Sequence, residues 1–265
     1  MAVKKPHKIG QVMDELNEGE KKLKNYTVFI LDRSSSMQSF GPEAIDAFNQ
    51  QVRATKKALV DKPNIEAQVS LLTFASEVDK PEIWCRPLDE IQELGEKDYQ
   101  PGGMTALHDA IGWAITELQK QKDIKEDTTS VLFVIVSDGA ENNSRTWRGK
   151  IGNMIKEMEA TKRWTFAYEG ASADLAESAV ADMQISCSNS MNLGGNSAVQ
   201  LRASNRSRYA KSMTYFDSMS AGQMQSQNYH QVDSDTDTPE ITGHLLLQMI
   251  QVSQGRSSMR RASDF

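Results

Sequence analysis

The chain has 265 residues, of which 38% are hydrophobic and 25% are charged, enough for one large domain with extensions. Its formal net charge is −6, which argues against binding to nucleic acid or to an anionic membrane, because both depend on clustered lysine and arginine. The longest strongly apolar run, residues 131–136, is far shorter than the ~20 residues that span a bilayer.

The cysteines and the first residues indicate where the protein works. Cys85 and Cys187 lie far apart, with no CxxC pair, which favours free thiols in a reducing cytosol over a zinc site or a disulfide framework. The chain starts with charged residues that no apolar segment follows, so no secretory signal is expected. These features predict a cytoplasmic protein.

From residue 25 onward, strand-like and helix-like patterns alternate, as is typical of an α/β domain with a mostly parallel sheet. In the first half we predict a strand at 26–32, a helix from 41 to 63, and an antiparallel hairpin of strands at 67–74 and 82–85. This hairpin would lie at one edge of the sheet and make it mixed.

The second half continues the alternation. We predict a helix from 107 to 118, a strand at 131–137, a helix after 144, a strand at 163–168, a helix at 173–183, a short strand within 185–193 and a closing helix at 196–216. The strand at 131–137 is apolar almost throughout, as expected of a central strand covered on both faces. Asn143 and Ser144 are interpreted as caps of the helix that follows them, with contact to a partner as the alternative.

The domain is therefore assigned to residues 25–215, with an extension on each side. Residues 1–24 are predicted to be a helical extension packed outside the sheet, with partner docking as the alternative, because apolar residues recur there in a charged background. Residues 216–265 are predicted to be a polar, disordered tail. Its short apolar segment at 244–252 suits either a docking helix or packing against the core.

Oxygen-bearing side chains cluster where three predicted segments meet. In open α/β sheets, ligands bind beyond the carboxyl ends of the strands, and we expect one edge to carry Asp32, Ser34, Ser36, Thr105 and Asp138. A set with no His or Cys suits a hard cation such as Mg²⁺ or Mn²⁺. Because the hydroxyls are neutral, such an ion would stay electrophilic enough to accept one carboxylate oxygen from outside.

These residues, in this order, resemble the metal-ion-dependent adhesion site (MIDAS) of von Willebrand factor A (vWA) domains. The motifs are Asp32-x-Ser34-x-Ser36, then Thr105, then Asp138-Gly139. The flanking sequences resemble the intracellular branch of bacteria and phages. The stretches that carry this second likeness are 99–107, 137–145, 163–166 and 171–174.

The resemblance implies a Rossmann-like, doubly wound, mostly parallel sheet with one antiparallel edge strand and helices on both faces. It also implies that Ser34 and Ser36 coordinate the ion directly and that Asp32 and Asp138 act mostly through bound waters. Thr105 would join or leave the shell, and the ion would bridge to a Glu or Asp of a protein partner. Intracellular members often work beside AAA+ ATPases or in multiprotein assemblies. Met104 departs from the pattern, since a smaller residue is common there.

Three other interpretations remain open from the residues. Asp-x-Ser-x-Ser alone is also typical of an Asx or serine turn. One of the serines with His108 and Asp138 resembles a nucleophile and its base, so a metal-assisted hydrolase is a less favoured alternative. Because a Gly-x-Ser-x-Gly elbow is missing, we expect that the protein is not an enzyme. An accessory assembly factor could instead bind through the N-terminal helix and the tail.

Overall fold

A six-stranded sheet forms the centre of the protein in the computed structural model, which describes residues 22–195 and 197–231. The strands, in chain order, are β1 (Leu23–Asp32), β2 (Ile65–Phe74), β3 (Ile83–Pro87), β4 (Thr129–Ser137), β5 (Trp164–Gly170) and β6 (Ser190–Asn192). Their spatial order is β3-β2-β1-β4-β5-β6. Every neighbouring pair is parallel except β2 and β3, which run antiparallel.

Within the described residues, five α-helices flank the sheet: α1 (Glu43–Ala58), α2 (Leu107–Leu118), α3 (Ile151–Ala160), α4 (Ala173–Asp182) and α5 (Ala198–Ser220). Buried residues of α1 and α5 form one hydrophobic cluster with Phe29 and Val134. Those of α2, α3 and α4 form a second cluster with Ile30 and Phe133. Since successive strand residues point to opposite faces, the sheet is covered on both faces.

The predicted fold class is confirmed, including the edge hairpin and the central strand. All nine residues of β4 are buried, which explains why its sequence is almost uniformly apolar. Among the helices that the structure describes, none is long and apolar enough to cross a membrane.

Both ends of the domain differ from the prediction. Leu23 and Lys24 belong to β1, so the helix predicted up to residue 24 is wrong there, and the rest of that segment lies outside the described residues. At the other end, α5 continues to Ser220, and Tyr229 is 2% exposed and donates its backbone N–H to Asn189 Oδ1 over 2.7 Å. The polar composition after 216 hides these buried aromatic contacts. The predicted apolar segment at 244–252 lies outside the described residues.

Candidate functional site

The candidate site lies where the sheet reverses its winding. From β1 the chain moves to β2 on one side, and it later returns to place β4 on the other side of β1. A crevice forms at such a switch point, beyond the carboxyl ends of the two strands. Asp32 is the last residue of β1, and Asp138 directly follows Ser137, the last residue of β4.

Asp32 is fully buried, and hydrogen bonds hold both of its carboxylate oxygens. Oδ1 accepts the backbone N–H of Ser34 over 2.7 Å, and Oδ2 accepts the hydroxyl of Ser137 over 2.6 Å. Burial raises the pKa of Asp32 to about 6, although these hydrogen bonds lower it. The Tyr99 hydroxyl donates to the Asp32 main-chain oxygen over 2.5 Å. The carboxylate is thus fixed in position by neutral donors.

A chain of oxygens runs from Ser34 to Asp138. The hydroxyls of Ser34 and Ser36 are 3.1 Å apart, and Ser36 Oγ donates to Asp138 Oδ1 over 2.7 Å. Ser34 and Asp138 are buried, while Ser36 is exposed. The 3₁₀ helix Ser35–Phe40 that carries Ser36 is anchored beneath by Met37 and Phe40, both fully buried. The site is therefore closed below and reaches solvent at Ser36.

The side-chain oxygens of Thr105 and Asp32 lie close to Gly139, as the Ser36 hydroxyl does. A methyl group placed on Gly139 would lie 3.0 Å from Thr105 Oγ1, 3.5 Å from Ser36 Oγ and 3.8 Å from Asp32 Oδ2. These three oxygens therefore face one small space that the missing side chain of Gly139 leaves open. The structure thus brings together all five residues named from the sequence.

The loop after β4 holds Thr105 through its backbone. The Thr105 N–H donates to Asn142 Oδ1 over 2.9 Å, and its carbonyl accepts the N–H groups of Asn142 and Asn143, each over 3.1 Å. This contact joins the second and third segments of the site.

The loop after β1 is joined to the loop before Thr105 in the same way. Gly102 N–H donates to Arg33 O over 2.6 Å, and Ser35 N–H donates to Gly103 O over 3.1 Å. Gly103 has φ +87°, and a methyl group there would lie 2.7 Å from Ser76 Oγ, so glycine is required at this position. Met104 is 49% exposed, so its bulk points to solvent rather than into the site.

Asn143 and Ser144 do not cap the helix that follows them, contrary to the sequence interpretation. That helix, α3, begins at Ile151 after Lys150. Instead, Ser144 Oγ accepts the N–H of Asp109 over 2.9 Å, in the first turn of α2. The residue before α2 is Ala106, which has no side-chain acceptor, so acceptors must come from elsewhere in the chain.

Glu141 supports the candidate site through contacts that the sequence did not reveal. Its carboxylate accepts the backbone N–H groups of His108, Asn143 and Ser144 over 2.7–2.9 Å, together with the Ser144 hydroxyl. It therefore caps α2 and shapes the loop that holds Thr105. Its signals in the sequence are its place in the stretch 137–145 and the lack of a capping side chain at Ala106.

His108 does not join the serines in the geometry that a nucleophile would need. The partners of the Ser36 hydroxyl are Ser34 and Asp138, while within the described part of the chain His108 Nδ1 has no hydrogen-bond partner. Burial lowers the pKa of His108. The geometry thus gives the nucleophile interpretation no support.

The donor set fits a hard cation. In residues 22–195 and 197–231 there is no cluster of three or more His, Cys, Asp or Glu residues able to hold a metal, so a site here depends on hydroxyls as well as on two carboxylates. Five oxygen-bearing side chains with two negative charges, three of which face a space kept open by glycine, match the preference of Mg²⁺ or Mn²⁺ for oxygen ligands.

These observations define the class of protein. It is a doubly wound α/β domain whose switch point is lined with side-chain oxygens. Residues 27–140 match the family model of the von Willebrand factor type A domain, which supports a vWA domain in this part of the chain. All five candidate residues fall within the matched segment. No curated protein matches the chain.

Several solved structures resemble the fold. Proximal thread matrix protein 1 from the mussel byssus is 13% identical, with a TM-score of 0.47, over 71% of this chain and 45% of that one. PilB minor pilin from Streptococcus sanguinis is 13% identical, with a TM-score of 0.46, over 75% and 64%. Von Willebrand factor type A from Catenulispora acidiphila is 15% identical, with a TM-score of 0.46, over 72% and 43%. The chain spans less than two thirds of each, and likeness at this level says nothing about function.

Proposed function

We propose that the protein is a metal-ion-dependent protein-binding module. The observation that carries this proposal is the hydrogen-bonded set of oxygens at the switch point, in which Ser36 links Ser34 to Asp138 beside the space at Gly139. An all-oxygen set that opens to solvent at an exposed hydroxyl suits a bound cation that a partner can reach.

Each residue would have the role that the family resemblance implies. Ser34 and Ser36 would hold Mg²⁺ or Mn²⁺ directly, Asp32 and Asp138 would hold it through waters, and Thr105 would join or leave the shell. When bound, the ion supplies an electrophilic position for the carboxylate of a Glu or Asp on a partner. Ser137 and Tyr99 keep Asp32 in place, and Asn142 keeps Thr105 in place.

The rim of the site suits an approaching carboxylate. Arg33 is already paired with Asp79 through two bonds of 2.5 Å, so it does not compete with the cation for an incoming acidic residue. Met104 offers an exposed apolar contact next to Thr105. We therefore expect the partner to present an acidic residue on a surface with apolar neighbours.

The resemblance to intracellular bacterial and phage vWA proteins suggests where this binding takes place. We propose a cytoplasmic multiprotein assembly, with an AAA+ ATPase or another assembly component as the partner. Binding through a carboxylate requires no turnover, so we propose that the protein is not an enzyme.

Affinity capture from a bacterial lysate tests the proposal. Wild type in Mg²⁺, wild type in EDTA, and Asp32→Ala in Mg²⁺ would be compared, with Ser35→Ala as control because Ser35 carries an exposed hydroxyl outside the candidate set. We expect the same proteins with wild type and Ser35→Ala in Mg²⁺, and their loss in the other two samples. Identical proteins in all four samples would contradict the proposal and favour an assembly factor that binds through its terminal segments.

A further inference from the structure

A groove lined by both apolar and charged residues lies at the opposite end of the sheet from the candidate site. It has a volume of ≈ 730 Å³ and lies at the amino ends of β1 and β2, next to the end of α1. We call it the amino-edge groove, and its apolar lining includes Leu23, Leu59, Val60, Pro63, Ile65 and Leu88. Nothing in the proposed metal-dependent function uses it.

The groove has a closed apolar floor and an exposed apolar rim. Leu23, Ile65 and Leu88 are each 7% exposed. Val60, at the rim, is 74% exposed, and the other exposed large hydrophobic residues in the described ranges are Val199 at 71% and Met104 at 49%. Together, the floor and Val60 offer an apolar strip to a further apolar segment.

The charges around the groove do not favour a strongly charged ligand. Four lysines and four carboxylates line it: Lys22, Lys24, Lys56 and Lys62, with Glu66, Asp89, Asp123 and Glu126. Lys24 pairs with Glu66 and Asp123. Because these charges balance, they select neither sign of charge in an occupant, and Leu23, Ile65 and Val60 remain as its apolar contacts.

The chain itself carries a segment with the right pattern and the right connection. Lys22 lines the groove, and 21 residues precede it. Ile9, Val12, Met13 and Leu16 recur at spacings of three and four, which on a helix places them along one face. Asp14, Glu15 and Glu18 fall on the opposite face and would remain in solvent.

The connection keeps this segment close to the groove. Six residue steps separate Leu16 from Lys22, so at about 3.3–3.6 Å per residue the two are at most about 20 Å apart. Gly19 lies within this link and tolerates the turn that brings the chain back. A tethered segment competes at an effective concentration in the millimolar range, which favours it over a second copy or another protein.

We infer that residues 9–16 dock as an amphipathic helix in the amino-edge groove of the same chain, with their apolar face over Val60. This contact is independent of the metal site, which lies at the other end of the sheet. It would leave the carboxyl edge as the end of the domain that is free for a partner.

Hydrogen exchange measured by mass spectrometry on the full chain tests this inference. Wild type would be compared with Val60→Glu and with a matched control, Val199→Glu, because Val199 is 71% exposed and does not line the groove. We expect amides of residues 9–16 to be protected at least about tenfold in wild type and in Val199→Glu, and to lose that protection in Val60→Glu. Near-ultraviolet circular dichroism would check that both variants are folded.

Three results would overturn the inference. Exchange of residues 9–16 at unprotected rates in wild type would show that they do not dock. Equal protection in Val60→Glu and Val199→Glu would place the docking site elsewhere. A dimer in light scattering that Val60→Glu converts to a monomer would assign the groove to a second copy of the chain.

Discussion

Two fully buried carboxylates near the same edge of the sheet are stabilised in opposite ways. Glu169 of β5 is paired with Arg208, with Nη2–Oε2 at 2.6 Å, and lies 3.5 Å from Lys211 Nζ. Asp32 of β1 is held by a backbone amide and a hydroxyl, and in the part of the chain that the structure describes it forms no ion pair with lysine or arginine.

The pKa values follow from these surroundings. For Glu169, burial raises the pKa, but the charges of Arg208 and Lys211 more than offset it and bring the value to about 2. For Asp32, burial raises the pKa to about 6, and its hydrogen bonds offset only part of this. Glu169 thus has its cations built into the fold, whereas we propose that the set around Asp32 takes its cation from solution.

The largest effect is expected from removing the cation built into the first region. Arg208→Met leaves Glu169 buried with only Lys211 nearby, and breaking such a pair costs about 3–5 kcal/mol of unfolding free energy. Urea unfolding at neutral pH would measure it. The control is Arg202→Met on the same helix. Arg202 pairs with Glu43 at the surface, so little change in the free energy of unfolding is expected. Equal effects of the two substitutions would show that the buried pair has no special role.

The next largest effect is expected at the exposed hydroxyl of the second region. Ser36→Ala removes an oxygen that links Ser34 to Asp138, so we expect Mg²⁺ affinity to fall at least about tenfold, or about 1.4 kcal/mol. Isothermal titration calorimetry would measure this affinity. Ser35→Ala, which removes a neighbouring exposed hydroxyl, should bind as wild type does. Equal affinity of Ser36→Ala and Ser35→Ala would remove Ser36 from the ligand set.

A smaller effect is expected from filling the space beside the oxygens without removing any of them. The methyl group of Gly139→Ala would lie 3.0 Å from Thr105 Oγ1, which is tighter than ordinary contact. Mg²⁺ affinity should fall by about three- to tenfold, while the free energy of unfolding without metal changes by less than about 1.5 kcal/mol. Unchanged affinity in the same titration would show that this space is not part of the site.

The smallest effect on stability is expected at Glu159, a carboxylate that, within the described residues, is stabilised neither by a built-in cation nor by neutral hydrogen-bond donors. Burial alone raises the pKa of half-buried Glu159 to about 7 from its ordinary 4.5. The folded state therefore binds more protons than the unfolded state between these values, so stability falls as pH rises from 4.5 to 7. Glu159→Gln should slightly raise the melting temperature at pH 8 and leave it unchanged at pH 4. A difference that is equal at both pH values would contradict this origin.

The contrast between the two regions also shows what the sequence could predict. Asp32 and Asp138 each come at the end of a strand that its apolar composition makes recognisable. The amino-acid pattern alone therefore predicts that both lie at one edge of the sheet. The Glu169–Arg208 pair joins residues 39 positions apart. Arg208 lies in α5, where several polar residues are buried, so hydrophobic spacing gives no sign of it.

The supports of the site could not be predicted for the same reason. Tyr99 reaches the Asp32 carbonyl from 67 positions away, and Glu141 caps α2 from 33 positions away. Such contacts depend on where the loops pass in three dimensions, and local spacing carries no record of that. The same limit led to the wrong cap at Asn143 and Ser144. Their side chains suit a cap, but Asn143 Nδ2 donates to Ser76 O, and Ser144 Oγ accepts the N–H of Asp109 in the preceding helix.

A Mg²⁺ titration of the full chain, followed by calorimetry and by urea unfolding, tests the central claim most directly. Wild type and Asp32→Asn would be compared, because asparagine keeps the shape of Asp32 and removes its charge. We predict one ion per wild-type chain and a gain in stability of about 2.7 kcal/mol at 100 times Kd, with neither in Asp32→Asn. Absence of binding heat and stabilisation in folded wild type, or an equal response of both proteins, would contradict the metal site.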